Sequence, residues 1–211
     1  MKRSELPEIM TYLQTCEVPS RYLKDTDKRE YHLNYENLIE EAKENSLFIY
    51  GGVGTGKTQL AIDVLTDLAS LKKINVTVDS KGEIKNGVYT VTPIVNTVLN
   101  TKMFRFYNVP RLLVDIRGMF NKQADLQTLL ESLSKYEYLV LDDLGVEKIT
   151  DWVLETLYVL INDRYENEQK LIITSNKNIK ELSESLGDRL ASRIMEMCHV
   201  VELKGEDKRL K

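Results

Sequence analysis

The chain has 211 residues, a formal net charge of −4 and two cysteines. This length suits one domain that can bury an extensive core without disulfide bonds or metal ions. Cys16 and Cys198 are far apart in sequence and neither belongs to a CxxC pair, which argues against structural zinc and favours a reducing compartment. Because we find neither a bilayer-length apolar run nor a signal-like leader, we expect a cytoplasmic protein with no membrane partner. The net charge neither supports nor excludes binding to nucleic acid.

The first 45 residues are polar and mixed, and we interpret them as a lead-in segment that is too short for an independent domain. They contain helical patterns at 6–16 and 35–43. A short apolar strand at 47–50 and an amphipathic helix at 59–70 follow. Residues 74–92 then alternate apolar and polar side chains across Asn86-Gly87, a pair that favours a hairpin turn. The segment 74–101 is therefore predicted to be an inserted, hairpin-like element.

Strands and helices alternate through the rest of the chain. We predict strands at 104–107, 138–141 and 171–174, and helices at 110–120, 125–134 and 151–165. Short apolar strands between amphipathic helices are typical of parallel sheets with helices on both faces. The sequence thus predicts an α/β fold whose main domain covers residues 46–211.

A glycine-rich run lies between the strand at 47–50 and the helix after it. It fits the pattern G-x-x-x-x-G-K-[ST] of a phosphate-binding loop with the sequence Gly51-Gly52-Val53-Gly54-Thr55-Gly56-Lys57-Thr58. In such a loop, backbone N–H groups and the helix N-terminus bind phosphate. Lys57 would reach the β- and γ-phosphates, and the Thr58 hydroxyl would bind Mg²⁺. These eight residues and Gln59 are the predicted contacts of ATP or ADP.

Two acidic residues follow the apolar strand at 138–141. Ligands of open parallel sheets bind beyond the carboxyl ends of the strands, so these acids should lie near the phosphate loop. We predict that Asp142 holds Mg²⁺ and that Asp143 orients or deprotonates the attacking water. Two adjacent carboxylates repel each other, so such a site requires a cation and Lys57 to offset their charge.

Three further polar residues are candidates for contact with phosphate or water. Asn176 follows the strand at 171–174, where its amide could contact both, although Asn is also common in turns. Arg189 and Arg193 are four residues apart in a helical pattern and hence on one face. They could supply positive charge to phosphoryl transfer or lie on a solvated face.

From residue 18 to residue 209 the chain resembles the AAA+ ATPases of the DnaC/DnaI helicase-loader and IstB transposition-ATPase group. The resemblance is carried chiefly by Leu139-Val140-Leu141-Asp142-Asp143-Leu144-Gly145-Val146-Glu147-Lys148, Ile172-Ile173-Thr174-Ser175-Asn176 and Arg189-Leu190-Ala191-Ser192-Arg193. It implies a P-loop NTPase with an AAA+ core and Asn176 as sensor I. Arg193, supported by Arg189, would be an arginine finger that acts on the neighbouring subunit's nucleotide. Arg209, in a stretch similar to sensor II, would contact the bound nucleotide.

The same resemblance implies a function in DNA replication. The chain would be a helicase loader and an ATPase that is weak as an isolated protomer. It would self-associate through a shared ATP site on single-stranded DNA, with a replicative helicase or a loader protein as partner. Two alternatives stay open: an IstB-like transposition ATPase, and a nucleotide-gated adaptor or inhibitor that binds a replicative helicase or its loader. The short region before the phosphate loop differs from the grip domain of known loaders, which makes the adaptor a serious alternative. We expect no separate lid domain.

Binding of single-stranded DNA would need a basic groove with stacking groups. Cationic and aromatic residues cluster around the second strand and its helix: Arg105, Phe106, Tyr107, Arg111, Arg117, Phe120 and Lys122. The alternative is that the aromatic rings belong to the core and the cations to a solvated face.

Overall fold

The computed structural model describes residues 7–24, 33–71, 76–85, 88–97, 102–119, 123–146 and 148–207. In these ranges the elements are α1 (Pro7–Thr15), α2 (Ser20–Leu23), α3 (Tyr35–Glu44), β1 (Ser46–Tyr50), α4 (Lys57–Leu71), β2 (Val76–Lys85), β3 (Val88–Thr97), β4 (Lys102–Asn108), α5 (Val109–Met119), α6 (Gln123–Leu133), β5 (Tyr136–Leu144), α7 (Asp151–Glu166), β6 (Lys170–Ser175), α8 (Ile179–Leu186), α9 (Asp188–Met197) and β7 (Cys198–Glu202). Among the described helices, none is long and apolar enough to cross a membrane.

Five strands form one parallel sheet in the order β4-β5-β6-β1-β7. Phe48 of β1, for example, is paired with Ile173 of β6 on one side and with Val200 of β7 on the other. Because all five strands run in the same direction, their carboxyl ends meet at one edge of the sheet, which we call the carboxyl edge. At this edge β6 lies between β1, which precedes the glycine-rich run, and β5, which carries the two acids. The predicted α/β fold is confirmed.

Each face of the sheet has its own hydrophobic core, because successive side chains of a strand point to opposite faces. Helices α1, α3 and α4 cover one face, where the strand residues are Leu47, Ile49, Val140 and Ile172. Helices α5, α7, α8 and α9 cover the other, where the strand residues are Phe48, Leu139, Leu141, Leu171 and Ile173. Helices therefore lie on both faces, as predicted.

The N-terminal segment covers the outer edge of β4. The buried Tyr12 hydroxyl accepts hydrogen bonds from the N–H groups of Met103 (3.2 Å) and Phe104 (3.3 Å). The carbonyl oxygen of Cys16 accepts one from the N–H of Phe106 (3.0 Å). Burial raises the pKa of the Tyr12 phenol, which keeps the hydroxyl neutral. The segment thus packs into the same core as α4 and satisfies edge donors of the sheet.

Strands β2 and β3, in the segment predicted to be an inserted hairpin, form an antiparallel pair separate from the main sheet. Val76 is paired with Thr97 at one end of β2 and β3, and Lys85 with Val88 at the other. Asn86 and Gly87, the predicted turn, lie outside the described residues. The pair lies between α4 and β4 in chain order.

A buried arginine joins three elements at the opposite, amino edge of the sheet. Arg164 of α7 is 1% exposed. Its guanidinium donates hydrogen bonds to the carbonyl oxygens of Leu133 (3.1 Å), Tyr136 (2.9 Å), Glu137 (3.1 Å) and Lys170 (2.8 Å). Burial lowers the pKa of Arg164 to about 10, so the group remains a cation at neutral pH. The end of α6 and the starts of β5 and β6 are held together through this one side chain.

Candidate functional site

The glycine-rich run connects the end of β1, at Tyr50, to the start of α4, at Lys57. Gly54 and Gly56 have φ angles of 72° and 101°, a region of backbone conformation that favours glycine. The run therefore makes the sharp strand-to-helix turn of a phosphate-binding loop. The N–H groups of the first turn of α4 directly follow this loop, and they have no hydrogen-bond partner within the helix.

Lys57 lies over this loop rather than in solvent. Its ammonium group donates hydrogen bonds to the carbonyl oxygens of Gly51 (2.9 Å) and Gly52 (2.6 Å). The Thr55 hydroxyl also donates to the carbonyl oxygen of Gly52 (3.0 Å), which further fixes the turn. A positive charge is thus held at the loop, as the sequence predicts for a phosphate contact.

Gln59, a predicted nucleotide contact, has a different environment. Its amide donates to the carboxylate of Asp63 (2.9 Å) and to the carbonyl oxygen of Tyr22 (3.4 Å). Its side chain is buried between α4 and the N-terminal segment, so its amide nitrogen is engaged within the protein.

A hydrogen bond joins the phosphate loop to the acidic strand. The Thr58 hydroxyl donates to Oδ1 of Asp142 (2.7 Å), and the Thr174 hydroxyl donates to the same oxygen (2.8 Å). Asp142 is 4% exposed. Burial raises its pKa, and the neighbouring charge of Asp143 acts in the same direction, while the hydrogen bonds from Thr58, Thr174 and Asn108 oppose them. The carboxylate is therefore held in place by hydrogen bonds, but these bonds only partly offset the cost of burying its negative charge.

The two acids lie in a β-bulge of β5. From Leu141 to Leu144 the strand advances three residues, while its partner β6 advances two, from Ile173 to Ser175. Asp143 has a φ of 62°, a left-handed conformation that Asp tolerates better than most residues. A regular strand would direct adjacent side chains to opposite faces of the sheet, and the bulge changes the direction of the second one.

Thr174 links both acids and was not among the predicted site residues. Besides its bond to Asp142, its oxygen accepts the N–H of Asp143 (3.0 Å), and the side chain is 0% exposed. The side-chain amide of Asn108, at the end of β4, donates a hydrogen bond to Oδ2 of Asp143 (3.5 Å). The signal in the sequence is a hydroxyl in an otherwise apolar strand, close to the predicted site residue Asn176.

Asn176 is exposed and directly follows β6. Because β6 lies between β1 and β5, Asn176 lies at the carboxyl edge between the phosphate loop and the acids. Asn176 is therefore positioned to contact a ligand that lies between the phosphate loop and the two acids.

The two predicted arginines of α9 have different surroundings. The Nε of Arg193 donates to Oδ1 of Asn162 (2.8 Å), and the guanidinium lies 4.4 Å from the ring centroid of Tyr165. A hydrogen bond with Tyr158 raises the pKa of Arg193. Arg189 is exposed and lines a cavity of about 440 Å³ between α7 and the start of α9.

These contacts turn Arg193 away from the phosphate loop of its own chain. Helix α7 starts after the carboxyl end of β5 and ends before the start of β6. Asn162 and Tyr165 belong to its last turns, so they lie towards the amino edge of the sheet. Arg209 lies outside the described residues.

The residues considered for DNA contact are divided between core and surface. Phe106 is 3% exposed, so the prediction that it could stack on a base is wrong: its ring is part of the core. Arg105 pairs with Glu17 and lies 5.0 Å from the ring centroid of Tyr107. With the exposed Arg111, Arg105 and Tyr107 line a groove of about 440 Å³.

Arg117 is exposed and lies 5.5 Å from the ring centroid of Trp152. Phe120 and Lys122 lie outside the described residues. The described part of this surface therefore offers three arginines and one accessible tyrosine ring.

The donor set at the carboxyl edge fits a magnesium ion. Mg²⁺ prefers oxygen ligands such as a hydroxyl and a carboxylate, and it is commonly bound by one or two carboxylates together with substrate phosphates. The Thr58 hydroxyl and Oδ1 of Asp142, 2.7 Å apart, converge on one point beside the loop.

Comparison with known proteins gives a family match and a set of relatives. The model of the IstB-like ATP binding protein family matches residues 90–211, a range that includes β5, β6 and α9 but begins after the phosphate loop. XkdC, a protein of the phage-like element PBSX of Bacillus subtilis (strain 168), is 28% identical over 184 residues, which are 84% of this chain and 57% of XkdC. The chain spans about half the length of the curated relatives that it matches first.

Solved structures share the fold. The crystal structure of the DnaC helicase loader aligns with a TM-score of 0.63 and 23% identity, over 88% of this chain and 100% of that chain. Domain III of the replication initiation protein DnaA from Thermotoga maritima aligns with a TM-score of 0.59 and 23% identity, over 83% of this chain and 62% of that chain. The predicted P-loop NTPase fold with an AAA+ core is confirmed by these similarities.

Proposed function

The chain belongs to the IstB-like ATP binding protein family, and from this premise we propose that it binds ATP with Mg²⁺ at the carboxyl edge of its sheet and hydrolyses it. The observation that carries the proposal is the hydrogen bond between Thr58 and Asp142 (2.7 Å), residues 84 positions apart in sequence. This bond brings the phosphate loop and the acids into one site.

Each side chain has a defined task in this proposal. Thr58 and Asp142 would hold Mg²⁺, which when bound offsets the negative charge of the phosphates. Lys57 binds the β- and γ-phosphates from above the loop. Asp143, in its bulge, orients the attacking water and accepts its proton, and Asn176 contacts the water and the γ-phosphate.

The first test is direct titration with ATP. Lys57→Ala should weaken ATP binding by at least about a hundredfold, because a charged contact with two phosphates is lost. Lys43→Ala, which removes a partly exposed lysine of α3, is the matched control and should bind as the wild type does. Equal affinities of Lys57→Ala and the wild type would contradict the site.

We further propose that the protein acts in DNA replication as a helicase loader that assembles on single-stranded DNA. The fold it shares with the DnaC and DnaI structures supports this role, and a structure of the initiator DnaA is known with AMPPCP and single-stranded DNA. In this chain, the groove beside β4 supplies Arg105, Tyr107 and Arg111. Cationic and stacking groups together are what single strands require.

ATP turnover measured with and without single-stranded DNA, alone and with a candidate replicative helicase, tests this role. We expect DNA and helicase to stimulate turnover, and Arg111→Ala to lose the stimulation by DNA while it keeps the basal rate. Turnover that responds to neither partner would contradict the loader role and leave the ATP site intact.

The shared ATP site is proposed from the position of Arg193. Because the contacts of this residue lie towards the amino edge of its own sheet, we propose that it completes the site of a neighbouring protomer, in a head-to-tail contact. Arg193→Ala and Asp143→Asn should each be inactive alone, and their mixture should regain part of the stimulated turnover. A mixture without activity would contradict a shared site. The same mixing experiment with Arg189→Ala in place of Arg193→Ala tests whether Arg189 is the arginine that acts on the neighbouring site.

The family match itself favours a second candidate, an IstB-like transposition ATPase. This function predicts stimulation by duplex rather than single-stranded DNA, and binding to a transposase. The third candidate, a nucleotide-gated adaptor or inhibitor, predicts ATP-dependent binding to a helicase or its loader with no turnover under any of these conditions.

A further inference from the structure

The segment that follows β7 crosses the phosphate loop and touches it at two points. The N–H of Leu203 donates to the carbonyl oxygen of Tyr50 (2.7 Å). Gly51 packs so closely under the Leu203 carbonyl that a Cβ at this position would overlap with it. At the middle of the loop, a Cβ at Gly54 would overlap with the carboxylate of Asp207. The segment 203–207 therefore places a negative charge directly against Gly54.

A carboxylate at this point lies beside the loop that would hold the phosphates. Backbone N–H groups of the loop, the positive end of the α4 dipole and the Lys57 ammonium all favour an anion here. They favour the carboxylate of Asp207 and a phosphate alike. When both are present, two negative charges are within a few ångströms of each other and repel.

We propose that Asp207 sets the affinity of the phosphate loop for ATP by competing with the phosphates through its carboxylate. Binding of ATP then requires that this side chain turn away from Gly54. The backbone at Leu203 stays in place, because its hydrogen bond is to the end of β1. The inference rests on the proposed nucleotide site and adds to it a residue that weakens binding.

The experiment compares Asp207→Asn, which has the same shape without the charge, with Glu166→Gln. Glu166 is an exposed acid at the end of α7, at the amino edge of the sheet. Its replacement changes the net charge by the same amount as Asp207→Asn does, but at a place far from the loop. Calorimetric titration with ATP and with inorganic tripolyphosphate, which has no base or sugar, measures affinity at low and high salt. Lys57→Ala is included as the variant that cannot bind phosphate.

We expect Asp207→Asn to bind both ligands about tenfold more tightly than Glu166→Gln at low salt, with a smaller difference at high salt because screening weakens the repulsion. If the wild type binds ATP and Lys57→Ala does not, while Asp207→Asn equals Glu166→Gln or binds more weakly, this inference is wrong and the proposed function stands. If neither the wild type nor Asp207→Asn binds ATP or tripolyphosphate, both are wrong.

Discussion

Arg164, at the amino edge of the sheet, and Asp142, at the carboxyl edge beside the likewise buried Lys57, are buried charges whose hydrogen-bond partners differ in kind. Arg164, at the amino edge, donates to four backbone carbonyl oxygens that belong to α6, β5 and β6. Asp142, at the carboxyl edge, accepts from two side-chain hydroxyls, those of Thr58 and Thr174. Both charges are almost fully removed from solvent.

The difference lies in the mobility of the partners. Backbone carbonyl groups cannot reorient without moving the elements that carry them, so Arg164 makes a fixed structural connection. Hydroxyl groups rotate at little cost, so the partners of Asp142 can exchange a hydrogen bond for another ligand. Of these two buried charges, the one with fixed partners makes a structural connection, whereas the one with rotatable partners lies where a ligand could bind. The following experiments test this division.

The largest effect is expected for Arg164→Met. Four carbonyl groups lose their donor in a buried place, so the free energy of unfolding should fall by about 3 to 5 kcal/mol. Chemical denaturation measures this change, and Arg111→Met, at an exposed position, should change it by less than about 0.5 kcal/mol. A loss below about 1 kcal/mol at Arg164 would mean that the fixed connection is not needed for stability.

A smaller effect, on function, is expected at Thr174. Thr174→Val removes the hydroxyl that links Asp142 and Asp143 at nearly constant volume, and the factor by which Mg²⁺ tightens ATP binding should fall about tenfold. Thr174→Ser keeps the hydroxyl and should restore this factor. Thr156→Val, a buried threonine whose hydroxyl bonds within α7, is the control and should leave it unchanged. Equal loss in the Val and Ser variants would show that packing alone matters at this position.

The smallest effect is expected on the stability of Asp142→Asn. Because the pKa of Asp142 is raised, the folded protein binds this proton more tightly than the unfolded chain does, and the free energy of unfolding falls as the pH rises above the ordinary value of 3.8. Asn keeps an acceptor for both hydroxyls and carries no charge. At pH 7 the variant should be at least as stable as the wild type, although Mg²⁺ should no longer tighten ATP binding.

Denaturation of Asp142→Asn and the wild type from pH 3 to pH 8 checks this, with the exposed Asp115→Asn as the control. The difference between Asp142→Asn and the wild type should grow with pH. A wild type that becomes the more stable of the two as the pH rises would contradict the raised pKa.

The parts predictable from sequence are those encoded by short-range patterns. The phosphate loop is a contiguous run, and the strands that carry it and the acids are short apolar segments, so both the fold and the two halves of the site follow from the sequence. Thr174, Arg164 and Asp207 are different, because each acts on groups at least 27 positions away or in another element. The bulge at Asp143 depends on the register of β5 against β6, which no local pattern specifies. Neither α8 nor β7 is among the predicted elements, since both are short, although the capping box of Asn178 and Glu181 at the start of α8 is a signal that the sequence carries.

The contacts of Tyr12 and Cys16 with β4 have a consequence for how this molecule meets other copies of itself. An uncovered outer strand invites an incoming strand from another chain, which is how many proteins form fibrils and swapped dimers. Here three amide groups of β4 are already occupied. Strand addition is therefore hindered on this flank of the sheet, and contacts between copies of the chain have to be made there by helices and loops.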